Sequence, residues 1–219
     1  MPKIYDNINN HLTKGLNETL ELSQRADFCV GYFNLRGWKE VANKIDKLEG
    51  IEINEGKENI LRVCRLLVGM QKMPVDILKD YFYHDENHII DQTEAVKLKK
   101  KLAQEFKEQL TIGIPTEDDE KSLRKLSQQM KDNKVVVKLH LRYTLHAKLY
   151  LAFSNDKRVP VVGFLGSSNL TLAGLAKQGE LNLDVMDQDA SNKLAVWFDD
   201  RWKDRWCIDI TQELIEIID

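Results

Sequence analysis

His146-Ala-Lys148, then Gly166-Ser167-Ser168-Asn169-Leu170-Thr171, then Glu180 form the most informative stretch of the chain. It supplies an imidazole, an ammonium, a hydroxyl, an amide and a carboxylate. These are the groups needed to hold and attack a phosphodiester. An imidazole can act as the nucleophile, and a lysine and an amide can neutralise the non-bridging oxygens on which charge sits in the transition state. Neither a cysteine cluster nor an acidic cage for a metal accompanies them. The chemistry read from these residues is phosphoryl transfer through a covalent histidine, with no metal and no cofactor.

Each piece is weak alone. Leu145, Ala147, Leu149, Leu151 and Phe153 alternate with His146, Lys148, Tyr150 and Ala152, which predicts a strand. Residues i and i+2 of a strand share a side, so His146 and Lys148 would project together. A basic pair on such a face is usually just solvated. Gly166 lets backbone approach a ligand, and Ser167 and Asn169 would point the same way if strand geometry continued. Asn169 could instead cap a short helix over 170–173 with Gly174 as its stop. A helix start is also a phosphate seat, so the two roles can coexist.

The elements that must position these residues have an α/β order. Ile4, Ile8, Leu12, Leu16 and Leu20 recur every four residues and predict a helix. A strand over about 28–34 and a helix carrying Trp38, Val41, Ala42, Ile45 and Leu48 come next. The apolar run 60–70 reads as a buried strand. From about 72 to 133 the chain is polar and mostly helical, and it is read as a helical insert. One helix is expected over about 93–110, and another after Pro115 with Thr116 as N-cap and an acidic first turn. Strands return over 135–141, 145–153 and 160–165, the last two as a hairpin turning at 154–158. Residues 180–186 alternate again. The final helices carry Leu194, Trp197, Phe198 and Trp202, then Leu214 to Ile218.

Composition sets the bounds. The 219 residues carry a net charge of −3 and are 42% hydrophobic, which excludes a strongly basic DNA-coating protein but not a local basic groove. No apolar run reaches the roughly 20 residues of a membrane span, and no signal peptide opens the chain. Cys29, Cys64 and Cys207 are odd in number and widely spaced, which predicts free thiols and a cytoplasmic protein. The last helix ends without a cap, so a longer protein is expected to continue beyond it, with a helicase domain as the candidate continuation.

Taken together, the motif residues resemble the phospholipase D superfamily, whose signature is H-x-K-x4-D-x6-G-S-x-N. His146, Lys148, Gly166, Ser167 and Asn169 match it in order, and Leu170-Thr171, Gly174-Leu175 and Glu180 continue the likeness. Two departures stand out. Phe153 occupies the place of the signature aspartate, and Lys148 and Gly166 are further apart than the signature has them, the extra residues fitting the 154–159 turn. The resemblance implies a phospholipase D-like α/β/α sandwich with a mixed central sheet and a helical insert, spanning 1–219. The departures resemble the nuclease-like and helicase-associated branch. The implied function is a metal-independent nuclease acting on DNA in a restriction, defence or helicase-linked system. His146 would attack phosphorus, Lys148, Ser167 and Asn169 would hold the phosphate, and Glu180 would fix an imidazole tautomer. The chain has one H-x-K, and relatives of this kind pair as a homodimer, so a second His146 would be the acid. A diverged second motif in the continuation is the alternative.

Other residues carry weaker signals. Gly166 and Ser168 are assigned to phosphate contact. Lys97, Lys99, Lys100 and Lys101 form a basic cluster assigned to DNA, against a merely solubilising role. His84 and His88 could share a zinc on a helix, but no third ligand is nearby. His140 lies between Lys138 and Arg142 and could line a DNA path. Trp197, Trp202 and Trp206 read as core in preference to base-stacking platforms. The alternative functions are a non-catalytic dimerising DNA-binding module and a hydrolase of a phospholipid or another phosphodiester. No membrane contact is expected.

Overall fold

The computed structural model describes residues 2–55, 58–69, 92–111 and 116–219. Its centre is three parallel strands: β2 (Arg25–Val30), β5 (Cys64–Gly69) and β6 (Val135–His140). Every residue of the first two is buried, as expected for parallel strands covered on both faces. Beside β2 the sheet turns antiparallel through β7 (Leu149–Phe153), β8 (Val161–Gly166), β9 (Asn182–Val185) and β1 (Ile4–Tyr5). The short β10 (Cys207–Asp209) closes the other edge against β6. The order is β1-β9-β8-β7-β2-β5-β6-β10, a mixed central sheet. A separate hairpin pairs β3 (Ile51–Glu55) with β4 (Glu58–Arg62).

Helices cover both faces. On one lie α1 (Leu12–Leu20), α2 (Leu35–Ile45), α3 (Gln92–Leu110), α4 (Glu117–Lys131) and α6 (Thr211–Ile218). Leu16, Trp38, Leu102, Phe106, Leu126 and Leu214 there join one core with Phe28, Leu66 and Val137 of the sheet. On the other face α5 (Gln188–Trp202) lays Phe198 and Trp202 over Cys29, Leu67, Leu149 and Leu151. The α/β/α sandwich results from strands that are apolar on both sides. Among the described residues of the polar middle region, α3 and α4 lie between β5 and β6 in the chain and bury their apolar faces in the main core. Helix α4 opens at the expected N-cap, Thr116, which pairs with Asp119 in a reciprocal capping box.

Beneath α5 runs a buried ionic network. Arg65 binds Asp27 through two nitrogens, at 2.8 and 2.6 Å, and reaches Asp199 at 2.6 Å. Arg25 adds a bond to Asp27 at 3.0 Å. The Arg65 guanidinium also lies over the Phe198 and Trp202 rings. Two arginines share this region, so the single carboxylate of Asp27 neutralises only part of their charge, and Glu55 and Asp199 supply the rest.

Several expectations are corrected. The first helix starts at Leu12, not Ile4. Asp6 accepts hydrogen bonds from the N–H groups of Ile8, Asn9 and Asn10, and this turn interrupts the four-residue repeat. The apolar run at 60–70 is two strands, β4 ending at Arg62 and β5 beginning at Cys64. The strand expected over 145–153 covers only 149–153, and all five of its residues are buried, so it alternates between two cores and not between core and water. The short helix expected over 170–173 is a π-helical turn, Ala173–Lys177, with Gly174 inside it. Trp202 is buried, but Trp197 and Trp206 are only half-buried. The three cysteines are free and buried. His84 and His88 lie outside the described residues.

Candidate active site

The site forms where β2 and β5 end. The chain leaving β6 crosses these ends before entering β7, and two glycines make room for it. A Cβ on Gly69 would fall 2.1 Å from the Leu145 carbonyl oxygen. A Cβ on Gly31 would fall 3.3 Å from Asn169 Oδ1 and 3.6 Å from the His146 Cα. Gly31 is therefore the point over which the two halves of the motif converge.

Asn169 is held by its oxygen. Its Oδ1 accepts the Tyr32 backbone N–H at 2.9 Å, which leaves the NH2 group as a donor for a ligand. This assignment of the amide is chemically forced, since the backbone group is a donor. The segment after β2 is fixed to the motif twice more. Asn34 N–H donates to the Leu170 carbonyl at 3.2 Å, and Phe33 bridges Leu170. Asn34 then caps α2 through Gly37 N–H at 2.9 Å. The alternative N-cap role of Asn169 is thus replaced by a tether to the end of β2.

His146 is exposed and Lys148 half-exposed. Neither lies on a strand. Lys148 Nζ folds back to donate to the His146 carbonyl at 2.6 Å, so backbone and side chain of the H-x-K segment are held together. The Ser167 hydroxyl bonds the Glu180 carboxylate and also accepts the Leu181 N–H at 3.0 Å. Among the described residues no side chain hydrogen-bonds the His146 ring, and Glu180 is spent on Ser167. The expected imidazole–Glu180 contact is therefore not made within the chain.

One assignment to phosphate contact needs correction. Ser168 is buried and occupied from within. Its N–H donates to Asn182 Oδ1 at 3.2 Å, its Oγ accepts from Asn182 Nδ2 at 2.7 Å, and its carbonyl accepts from the Tyr150 hydroxyl at 2.8 Å. Each polar group of Ser168 is thus engaged inside the protein. Gly166 is needed for packing, since a Cβ there would lie 2.2 Å from the Leu181 carbonyl oxygen and 2.5 Å from Asn182 Oδ1. The neighbour that approaches its backbone is β9. Burial, and after it the charges of Cys29 and Glu180, push the Tyr150 phenol well above its ordinary range, so it stays a donor to Ser168.

The basic cluster is not brought to the site. Lys99 and Lys100 face Glu213 and Glu216 of α6, at 3.9 and 3.4 Å. Lys99 lines a hollow with Arg62, Asn133 and Val136, where β5 and β6 begin, and the motif lies where they end. Lys97 and Lys101 are exposed on the same helix. Phe153, in the place of the signature aspartate, is buried with the Arg25 guanidinium 3.7 Å over its ring. His140 is buried, its Nδ1 3.4 Å from the Tyr143 carbonyl. Desolvation by burial lowers its pKa from the ordinary histidine value.

Tyr150, Asn182 and Gly69 are positioning residues that the sequence does not announce. A polar Asn182 inside an alternating strand is the one available signal. Among the described residues no group of His, Cys, Asp or Glu is arranged to hold a metal ion. Nor is any helix there long and apolar enough to cross a membrane.

No curated protein sequence matches the chain. Among solved structures, the phospholipase D family member Nuc from Salmonella typhimurium superposes with a TM-score of 0.51 at 9% identity, over 95% of this chain and 97% of that one. Phosphatidylserine synthase from Haemophilus influenzae Rd KW20 gives a TM-score of 0.50 at 16% identity, over 95% of this chain and 39% of that one. At such identities the likeness speaks for the fold. The family model described as "Cardiolipin synthase, PLD-like domain" matches residues 64–202, more than half of the chain and all of the motif. The chain belongs to this PLD-like family of the phospholipase D superfamily.

Proposed function

We propose that the protein is a metal-independent nuclease that cuts DNA phosphodiesters through a phosphohistidine at His146. One observation carries the reading: His146 and Asn169 converge over Gly31, with Lys148 tied to the same segment. An exposed imidazole can reach phosphorus in line. The Asn169 NH2 and the Lys148 ammonium can bind the non-bridging oxygens, once Lys148 exchanges the His146 carbonyl for phosphate. The phosphorus–oxygen bond to the leaving strand breaks as the nitrogen–phosphorus bond forms, and a proton is delivered to the leaving oxygen. Water then hydrolyses the phosphohistidine.

The proton donor is assigned to a second copy of the chain. The motif histidine is needed as nucleophile, and a two-fold pair would place a second imidazole opposite it. Exposed apolar residues beside the motif support such a contact. Leu165 and Leu183 pair across β8 and β9, and Leu183 pairs with Ile4 of β1. All three are at least 40% exposed, and they share one face of the sheet. Leu181, 64% exposed, lies between Glu180 and Asn182.

A second reading is hydrolysis or transfer at a phospholipid phosphodiester, favoured by the description of the matching family model. Both readings use the same histidine. Labelled single- and double-stranded DNA and phosphatidylglycerol vesicles, each incubated with protein in EDTA, separate them. The nuclease reading expects cleavage of DNA by wild type and none by His146→Ala. Cleavage of lipid alone would replace it with the second reading, and inertness toward all three would remove both.

A further inference from the structure

We propose that the surface beside the H-x-K segment, built from Arg142, Tyr143, Arg201, Arg205 and Trp206, holds unpaired bases, so that the substrate strand is single-stranded nucleic acid. This rests on the phosphodiesterase reading of the site and adds the substrate class to it. The surface is contiguous. Leu141 N–H donates to the Trp206 carbonyl at 2.9 Å, and Arg142 reaches Asp204 at 3.3 Å. Arg142 and Arg201 both act electrostatically on His140, whose ring meets the Tyr143 carbonyl.

The chemistry of the patch is arginine beside an aromatic ring, three times over. Arg142 lies 5.4 Å from the Tyr143 ring centroid, Arg205 5.5 Å from that of Trp206, and Arg201 4.4 Å from that of Trp197. Tyr143 is 64% exposed, a large aromatic left in water. A duplex hides its base faces and offers phosphates, which lysines or arginines alone would serve. Rings with guanidinium planes suit splayed bases, because every base has a π-face to stack. The nearby carboxylates, Asp200 and Asp204, pair with Arg201 and Arg142 and offset their charge, so the surface offers rings and guanidinium planes more than net positive charge.

The position fits a path into the site. Tyr143 precedes His146 by three residues on a segment outside any strand or helix. Fully extended, three residues span about 10 Å. A base stacked on Tyr143 would therefore lie beside the phosphate held at His146. The loop crosses the ends of β5 and β2 in between, with Leu145 over Gly69.

Binding is measured by fluorescence anisotropy in EDTA, in a His146→Ala background, with a labelled oligothymidylate and a labelled DNA hairpin duplex as probes. The oligothymidylate is expected to bind more tightly than the duplex. Tyr143→Ala is expected to weaken oligothymidylate binding about five- to 150-fold, the range for loss of one stacked base, and Tyr143→Phe to restore it. Tyr143 is a surface side chain, and the Phe variant controls for folding. Equal or tighter duplex binding, an unchanged Tyr143→Ala affinity, or failure of Phe to restore binding would overturn the inference. Hydrolysis of bis(4-nitrophenyl) phosphate by wild type reads the phosphodiesterase assignment separately, because its small ester needs no strand to hold.

Discussion

At the scale of single residues, Asn169 joins a fixed position to the phosphate-binding role proposed for it. Its oxygen is fixed by Tyr32 N–H, so its NH2 is aimed without cost to the fold. Asn169→Asp keeps the acceptor but replaces the donor with a charge that repels phosphate. It is expected to fold normally and to lose phosphodiester hydrolysis by on the order of 10²-fold or more, which circular dichroism and a turnover assay would check together. Gly166→Ala should behave oppositely. Its Cβ would strike the Leu181 carbonyl, and β9 backbone is a neighbour that cannot swing away. A loss of about 1–3 kcal/mol in urea unfolding is expected, and an unchanged midpoint would contradict the close packing of β8 on β9. The candidate reactive residues are legible in sequence because phosphate chemistry dictates their types. Their supports are not. Gly69 meets Leu145, and Tyr150 meets Ser168, only once distant segments fold together, and nothing in either residue's neighbours announces it. Ser168 reads as a phosphate ligand for the same reason, because its true partner Asn182 comes from another strand.

At the scale of elements, periodicity works where one face of an element meets one core. Trp38, Val41, Ala42 and Ile45 mark α2, and all four are buried. It fails where a polar turn falls on the repeat, as at Asp6, and where a strand is buried on both sides, as in β7. There alternation carries no information, since Tyr150 and Leu151 enter different cores. Three-residue β10 is too short to leave any pattern. Capping is readable because it is local. Thr116 Oγ1 accepts the Asp119 N–H at 3.2 Å, and the Asp119 carboxylate accepts the Thr116 N–H at 3.1 Å. Thr116→Ala is expected to cost about 1 kcal/mol in chemical denaturation, and Thr116→Ser to cost little. Equal losses for both would point away from the cap.

At the scale of the whole molecule, the ionic network joins β2, β5, α5 and the β3–β4 hairpin. Burial pushes the Glu55 carboxyl up, but the Arg62 hydrogen bond and the charges of Arg62 and Arg65 outweigh it, and the result lies below its ordinary value. A depressed folded value means the stabilisation is complete above the ordinary glutamate range, near pH 4.3, and is lost as pH falls through the folded value. Wild type should therefore lose more melting temperature on acidification through that window than Glu55→Gln does. Parallel acid curves for the two proteins would count against the network's role. The exposed row of Ile4, Leu183 and Leu165 makes the other molecular prediction. Leu183→Asp is expected to shift a dimer toward monomer in light scattering and to depress turnover with it, since each site would lose its second histidine. A monomeric wild type that turns over at full rate would show that the site is complete in one chain.

The central claim is that His146 breaks phosphodiesters without a metal, and bis(4-nitrophenyl) phosphate hydrolysis in EDTA tests it with no dependence on strand binding. Wild type is expected to turn the ester over, and His146→Ala to be slower by on the order of 10⁴-fold or more. Equal rates for the two proteins, or hydrolysis that appears only when a divalent metal is restored, would contradict the account.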